Sequence, residues 1–414
     1  MTVEIRPYRE EEAAAFFRVP SIVFGNYRGD APRDAAPGLD IPPELSLCAF
    51  EDGVLATTYA AWPFVQRLNG AKAPAAGVTV VGTLPWFRRR GHLRAIMAHD
   101  FRRRYEQRME PLAILGASIA AIYHRYGYAV CTTRNGYSID PRWINLAPAV
   151  TPATGTWREG SKDELPLLQT MYREFSTPRN GFLHRAPVMW DSRVFGTTPG
   201  FGDPGDPGPS IIAIYEEGGE PKGYVAYGAK WFPQWEDGAG PGQRIFVRDY
   251  VWNTTSAYVA LWQFFKTFDL AIRVSIFNAP IDDPAFHMLL DPRELHATLG
   301  DWILARVIDV ERALPLRPYG REGRVTFEVR DAMCPWNEGR WALEAGGEGS
   351  AIARTKETPQ LTLDVSTLAQ LLYGQVSPTN AVRYARAEAA PDAPLRLWDE
   401  MFRTEYAPYC PDMF

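Results

Sequence analysis

The chain has 414 residues, 46% hydrophobic and 13% aromatic, with a formal net charge of −5, and that length predicts two or three domains of roughly 100 to 200 residues each. The acidic balance excludes a general nucleic-acid-binding protein, which would need a basic face. No apolar run approaches the roughly 18 residues of a membrane span and the opening "MTVEIRPYREEE" is too acidic for a signal peptide, so the expectation is a cytoplasmic globular protein without membrane partners.

In chain order, a strand is predicted over residues 2–6 and a helix over 10–19, stopped by Pro20. Next, "LSLCAFEDGVLATTYAAW" joins two apolar runs through Glu51-Asp52-Gly53, where Asp-Gly is a hairpin signal. "GVTVVGTLP" is a third strand, rich in β-branched residues. It leads into Arg88-Arg89-Arg90-Gly91 and then a helix whose Leu93, Ile96, Met97 and Phe101 share one face, with Pro111 as its stop. "LAILGAS" is a buried strand, and "IAAIYHRYGYAVCTTRNGYSID" reads as a short helix followed by a final strand.

A Pro-, Thr- and Gly-rich stretch over 148–160 reads as a linker. The order of elements then recurs: a helix over 163–175, a hairpin turning at Gly218-Gly219, the strand "RIFVRDYVW" and the helix "SAYVALWQFFKTF". This is the pattern of a degenerate duplication, and its second copy lacks Arg-Arg-Arg-Gly. "TTPGFGDPGDPGPS" reads as a mobile surface loop, and from about Arg317 strands precede helices in a third, α+β domain.

A strand, a basic loop with a glycine, and a helix start form an anion site, because free amides and the helix dipole both favour negative charge. Arg88, Arg89, Arg90 and Arg94 add charge-assisted donors. A solvated basic loop is the plainer alternative. A P-loop and a dinucleotide fingerprint are excluded, since neither Gly-Lys-Ser/Thr nor Gly-x-Gly-x-x-Gly follows. The four cysteines are scattered and the six histidines, including His92, lack paired spacing. No metal site is therefore expected, and surface or cap roles are assigned to the histidines. Asp249, Asp309 and Asp331 are read as turn or capping residues.

The Arg-x-x-Gly-x-Leu loop (Arg88, Gly91, Leu93), with "IYHRYGY" downstream supplying Tyr123, Gly127 and Tyr128, resembles the GNAT N-acetyltransferase superfamily. Through "DDPAFHMLLDPRELHATLGDWILARVIDVERAL", "CPWNEGRW" and the terminal Phe, the resemblance narrows to the enhanced-intracellular-survival (Eis) type. It implies an α/β (α+β) fold: a catalytic GNAT domain over 1–147, a degenerate GNAT-like domain over 148–313 and a sterol-carrier-like domain over 314–414. It also implies acetyl-CoA as co-substrate, an amine substrate of aminoglycoside, polyamine or lysine-like type, and a homohexamer built as two trimers.

Residue by residue, the resemblance assigns Tyr123 as general acid and the α-carboxylate of Phe414 as base. Coenzyme contacts carried over are Val81, Gly82, Thr83, the loop Arg89, Arg90, Gly91, His92, Leu93 and Arg94, and Ser118 with Ile119. Phe24, Asn26, Val80 and Met413 match positions lining the amine pocket, and Tyr126 and Tyr128 are read as packing residues. Asn26 and Met413 are neutral and only Asp412 lies nearby in sequence, so multiply charged amines are expected to be poorer substrates. The aromatic, proline-stiffened "YAPYCPDMF" predicts a docked tail. The alternative function is a lipid- or metabolite-binding protein using the sterol-carrier-like domain.

Overall fold

The computed structural model describes residues 2–25, 27, 41–197, 208–233, 241–347 and 349–414. Strand β1 (Val3–Arg6) lies antiparallel to β2 (Cys48–Glu51), and two left-handed dipeptides set the pairing that follows. Asp52 and Gly53 (φ 49° and 81°) join β2 to β3 (Val54–Leu68); Asn69 and Gly70 (φ 46° and 92°) join β3 to β4 (Ala71–Thr83). Both are the twist-matched turns that long antiparallel pairs favour. The second, for which Asn-Gly is the signal, lets β4 begin at Ala71, ahead of the predicted "GVTVVGTLP".

Pro20 does not stop the first helix: it lies inside α1 (Ala13–Val23). Nor does Pro111 end α2 (His92–Glu106); that helix closes at Arg108 (φ 51°), with Arg108 N–H bonding the Tyr105 carbonyl and Met109 N–H the Arg104 carbonyl. Ile96, Met97 and Phe101 of α2 are buried as predicted, with Leu93 partly buried beside them. Then come β5 (Leu112–Gly116), α3 (Ala120–His124), β6 (Ala129–Val130) and β7 (Thr133–Ile139).

The predicted linker contains a strand, β8 (Thr156–Gly160), followed by α4 (Leu165–Ser176), β9 (Ile211–Glu217) and β10 (Glu220–Phe232). Next are β11 (Gly242–Trp252), α5 (Thr255–Lys266), β12 (Ala271–Ala279), β13 (Thr298–Asp301) and β14 (Ile303–Val307). Most of the glycine- and proline-rich stretch expected as a loop lies outside the described residues.

The first seven-stranded sheet runs β1-β2-β3-β4-β5-β14-β6 and the second β8-β9-β10-β11-β12-β7-β13. The orders are the same, position for position, which supports a duplication. In each, the sixth place is taken by a strand from the other half of the sequence: β14 pairs with β5 and β6, and β7 with β12 and β13. Accordingly one unit comprises residues 1–132, 302–408 and 414, and the other 133–301 and 409–413.

The first unit also holds a five-stranded sheet, β17-β16-β15-β18-β19, built from β15 (Gly323–Arg330), β16 (Gly339–Gly346), β17 (Gly349–Arg354), β18 (Leu361–Asp364) and β19 (Ala387–Ala389). Helix α6 (Val365–Tyr373) follows β18. These strands and helices form the third, α+β layer structure.

Candidate active site

Strands β4 and β5 pair in parallel only over Ala75–Gly77 and Leu112–Ile114. Beyond Gly77, β4 continues to Thr83 unpaired on its β5 side, so a fork opens whose β4 arm carries the predicted Val80, Val81, Gly82 and Thr83. Within that arm the β3 register shifts between Thr58 and Ala60. Val80 adopts φ 47°, and its carbonyl accepts a 2.8 Å hydrogen bond from Thr58 Oγ1. A bulge of this kind re-aims the backbone near a site. Val80 is itself buried, as is Gly82, whose absent side chain leaves room for Val19 and Val23.

The arginine loop follows β4. Gly91 holds φ 87° as the N-cap of α2 and offers no side chain to cap it. The amides of His92, Leu93 and Arg94 precede the first intrahelical bond, Ala95 N–H to the Gly91 carbonyl, and lack partners within the helix. A fifteen-residue helix with open amides and exposed Arg89 and Arg94 fits a phosphate-bearing ligand. Gly91 is needed for its left-handed backbone, since a Cβ there would meet nothing within 4 Å.

Three loop side chains are turned to other groups of the protein. Arg90 bonds Glu51 Oε1 and the Trp86 carbonyl, the latter at 2.9 Å. His92 is not a surface residue: its ring is buried, with Nε2 2.8 Å from Glu51 Oε2. Arg88 donates to the Thr83 carbonyl at 3.2 Å. Sequence reasoning missed Glu51 because it stands beside Asp-Gly and was read as turn. Its position at the end of an otherwise apolar buried strand was the available signal.

At the tip of β5, Ser118 and Ile119 are exposed, Ile119 immediately preceding α3. Tyr123 is partly buried on α3, its ring 5.9 Å from that of Tyr128. Burial, reinforced by Tyr126, pushes its phenol up to about 12. Among the described residues Tyr123 Oη has no hydrogen-bond partner. Tyr126 and Tyr128 are core residues, as predicted. Gly127 (φ 81°) has a second reason to be glycine: a Cβ would lie 1.7 Å from Arg306 Nη1 of β14. Arg306 is fully buried and bonds Asp331 and Cys334, so Asp331 is a buried ion-pair partner as well as a cap for the Met333 and Cys334 amides. Asp309 caps a helical turn, as expected.

The Phe414 ring packs edge-on to Phe64 at 4.8 Å, over Gly77 at the closed end of the fork. Phe24 is partly exposed after α1, and Asn26 lies outside the described residues.

The second unit holds the segment before Phe414. Tyr409 Oη donates to the Asn278 carbonyl (2.7 Å), and Asn278 Nδ2 to the Cys410 carbonyl (2.9 Å). Asp412, 1% exposed, receives Arg185 Nε at 2.8 Å, and Arg185 also grips Asp249 through two bonds of 2.7 and 2.9 Å. Asp249 is thus half of a buried ion pair, not a turn residue; the guanidinium beside it holds its carboxyl below the usual range. Met413 is exposed. The docked tail is observed, and it removes Asp412 from the carboxylates open to a substrate.

In the second sheet β11 and β12 pair only over 243–247 and 271–276, leaving a similar fork. The tail's contacts with Asn278 lie beyond that pairing, and α5 is capped by its own Thr254, whose Oγ1 accepts from Ala257 N–H. One amide of the kind left open in the first copy, that of Ala257, is thereby closed in the second. Among the described residues no cluster of three metal-ligating side chains occurs, and no helix is long and apolar enough to cross a membrane.

Residues 4–131 and 181–307 each match a family model for an acetyltransferase (GNAT) domain, and 310–411 one for a sterol carrier protein domain. An uncharacterized N-acetyltransferase of Streptomyces avermitilis is 33% identical over 84% of this chain and 83% of its own length. N-acetyltransferase Eis of Mycobacterium tuberculosis is 27% identical over 80% of this chain and 79% of its own. Among solved structures, Eis1 of Mycobacterium abscessus superposes with TM-score 0.80 at 27% identity, each chain covered in full. A GCN5-related N-acetyltransferase from Anabaena variabilis, at TM-score 0.85 and 21% identity with full coverage, has the same fold. Uncapped helix, open fork, tandem GNAT units and these relatives converge: the chain is an N-acetyltransferase and belongs to the Eis-type GNAT family.

Proposed function

We propose that the chain transfers acetyl directly from acetyl-CoA to a primary amine, with Tyr123 as general acid and the Phe414 α-carboxylate as base. The observation that carries this reading is the uncapped start of α2 beside a strand fork whose closed end is covered by Phe414. Acetyl-CoA supplies the activated acetyl group as a thioester. The amides of His92, Leu93 and Arg94, with Arg89 and Arg94, would hold its phosphates, and the unpaired β4 arm from Val81 to Thr83, with Ser118 and Ile119, would hold the pantetheine.

Tyr123 Oη holds the proton that the departing sulfur needs. Against a reference thiol near 8.5, a phenol at about 12 is a reluctant donor. The same burial disfavours a thiolate in that fork, which narrows the gap and lets a late transfer proceed. An α-carboxylate with a reference pKa of about 3.5 is a weak base. It orients the ammonium and receives its proton through water.

Phe24, Asn26, Val80 and Met413 are assigned to the amine pocket, and the hexameric, cytoplasmic state of the family is carried over with them. Since Asp412 is committed to Arg185, turnover of kanamycin-like polycations should fall below that of single amines. An amine panel with acetyl-CoA tests both points, and equal efficiency on both classes would refute the second. Appending residues after Phe414 should abolish turnover and spare coenzyme binding; turnover that survives removes the base assignment.

A further inference from the structure

Glu51 ends β2 with its carboxylate 4% exposed, and the acetyl-transfer chemistry makes no use of it. A carboxylate so placed costs several kcal/mol unless it is paired. Its hydrogen-bond partner comes from the arginine loop, Arg90 at Oε1, and the His92 ring stands against the same carboxylate, Nε2 2.8 Å from Oε2 without a hydrogen bond between them. The loop takes left-handed backbone on either side of Arg90, at Arg89 (φ 64°) and Gly91 (φ 87°). For a non-glycine residue such as Arg89 that conformation costs about 1 kcal/mol or more, so side-chain contacts must hold it. The ring of Phe87 completes the enclosure, 5.3 Å from the Arg90 guanidinium and 6.5 Å from the His92 ring.

We propose that Glu51 is a positioning residue for the coenzyme: by clamping Arg90, with the His92 ring packed against it, it fixes the loop that presents the first amides of α2 to the phosphates. Arg90 then acts inward, on Glu51, while Arg89 and Arg94 face the ligand. The inference rests on the acetyl-CoA reading, and native protein that fails to bind coenzyme A overturns that reading before any variant is made.

The test is a double-mutant cycle on the full chain, with coenzyme A as the probe and calorimetry as the readout. Glu51→Gln and Arg90→Met should each raise Kd about tenfold, which is 1.4 kcal/mol, and the double variant should be no weaker than the worse single. The loss should fall on KM for acetyl-CoA and not on kcat, and Arg90→Lys should recover most of it. A Kd within twofold of native in Glu51→Gln, or additive losses in the double variant, overturns the clamp. If Glu51→Gln does not fold, Arg90→Met decides: that side chain is 40% exposed, and an unchanged Kd there overturns the proposal equally.

Discussion

Tyr123 illustrates how one side chain is prepared by its surroundings. Its hydroxyl is unpartnered among the described residues and its phenol is pushed up to about 12 by burial, so it remains protonated across the working range. Replacing it with Phe removes the proton and little volume. Tyr123→Phe should lower kcat by about 10² to 10⁴ with coenzyme affinity within twofold of native. The falling alkaline limb of the native pH profile should also lie no lower than about pH 10, because ionising this acid requires approaching its raised pKa. Steady-state kinetics over pH would show both, and a native limb near pH 8 would assign the acid to another group. Tyr123, Gly91 and the loop were legible because their spacing is local. Glu51 was not, since its meaning depends on Arg90 and His92 reaching it from another element.

At the level of elements, the fork between β4 and β5 turns on Gly77. Its backbone is ordinary, so alanine is conformationally allowed, yet a Cβ would sit 2.2 Å from Phe64 Cε2 and 3.3 Å from Phe414 Cδ2. Phe64 must rotate, and Phe414 loses its edge contact. Gly77→Ala should therefore cost about 1 to 3 kcal/mol of stability and lower kcat, while coenzyme A binds as before. Shortening the obstacle, as in Gly77→Ala with Phe64→Leu, should restore most of the stability and little of the kcat, because the Phe64 ring that seats Phe414 is gone. Thermal melts and turnover on the pair would decide it; full recovery of kcat would show that Phe414 needs no aromatic seat. The hairpin at Asp52-Gly53 was readable because two residues fix it. The fork was not, because where parallel strands part depends on which side chains fill the gap.

For the whole chain, sequence order and sheet membership part company at two points. β14 (Ile303–Val307) is buried at every residue and pairs with both β5 and β6; β7, early in the sequence, lies between β12 and β13. Composition and periodicity identify such segments as strands but say nothing of which sheet receives them, so the duplication was legible and the exchange was not. The exchange has a consequence for dissection. A fragment of residues 1–147 would lack β14, leaving the inner edges of β5 and β6 without hydrogen-bond partners and Arg306 absent from beside Gly127. It would also carry β7 without β12 and β13 to pair with. Unpaired apolar edges recruit other chains, so this fragment should be insoluble or poorly dispersed by NMR and should not bind coenzyme A measurably. A folded 1–147 fragment with native coenzyme affinity would show that the β4/β5 fork does not depend on its borrowed strand. Loss of binding in the fragment alongside binding by the full chain would tie the anion site to chain that begins more than 200 residues further on, at β14.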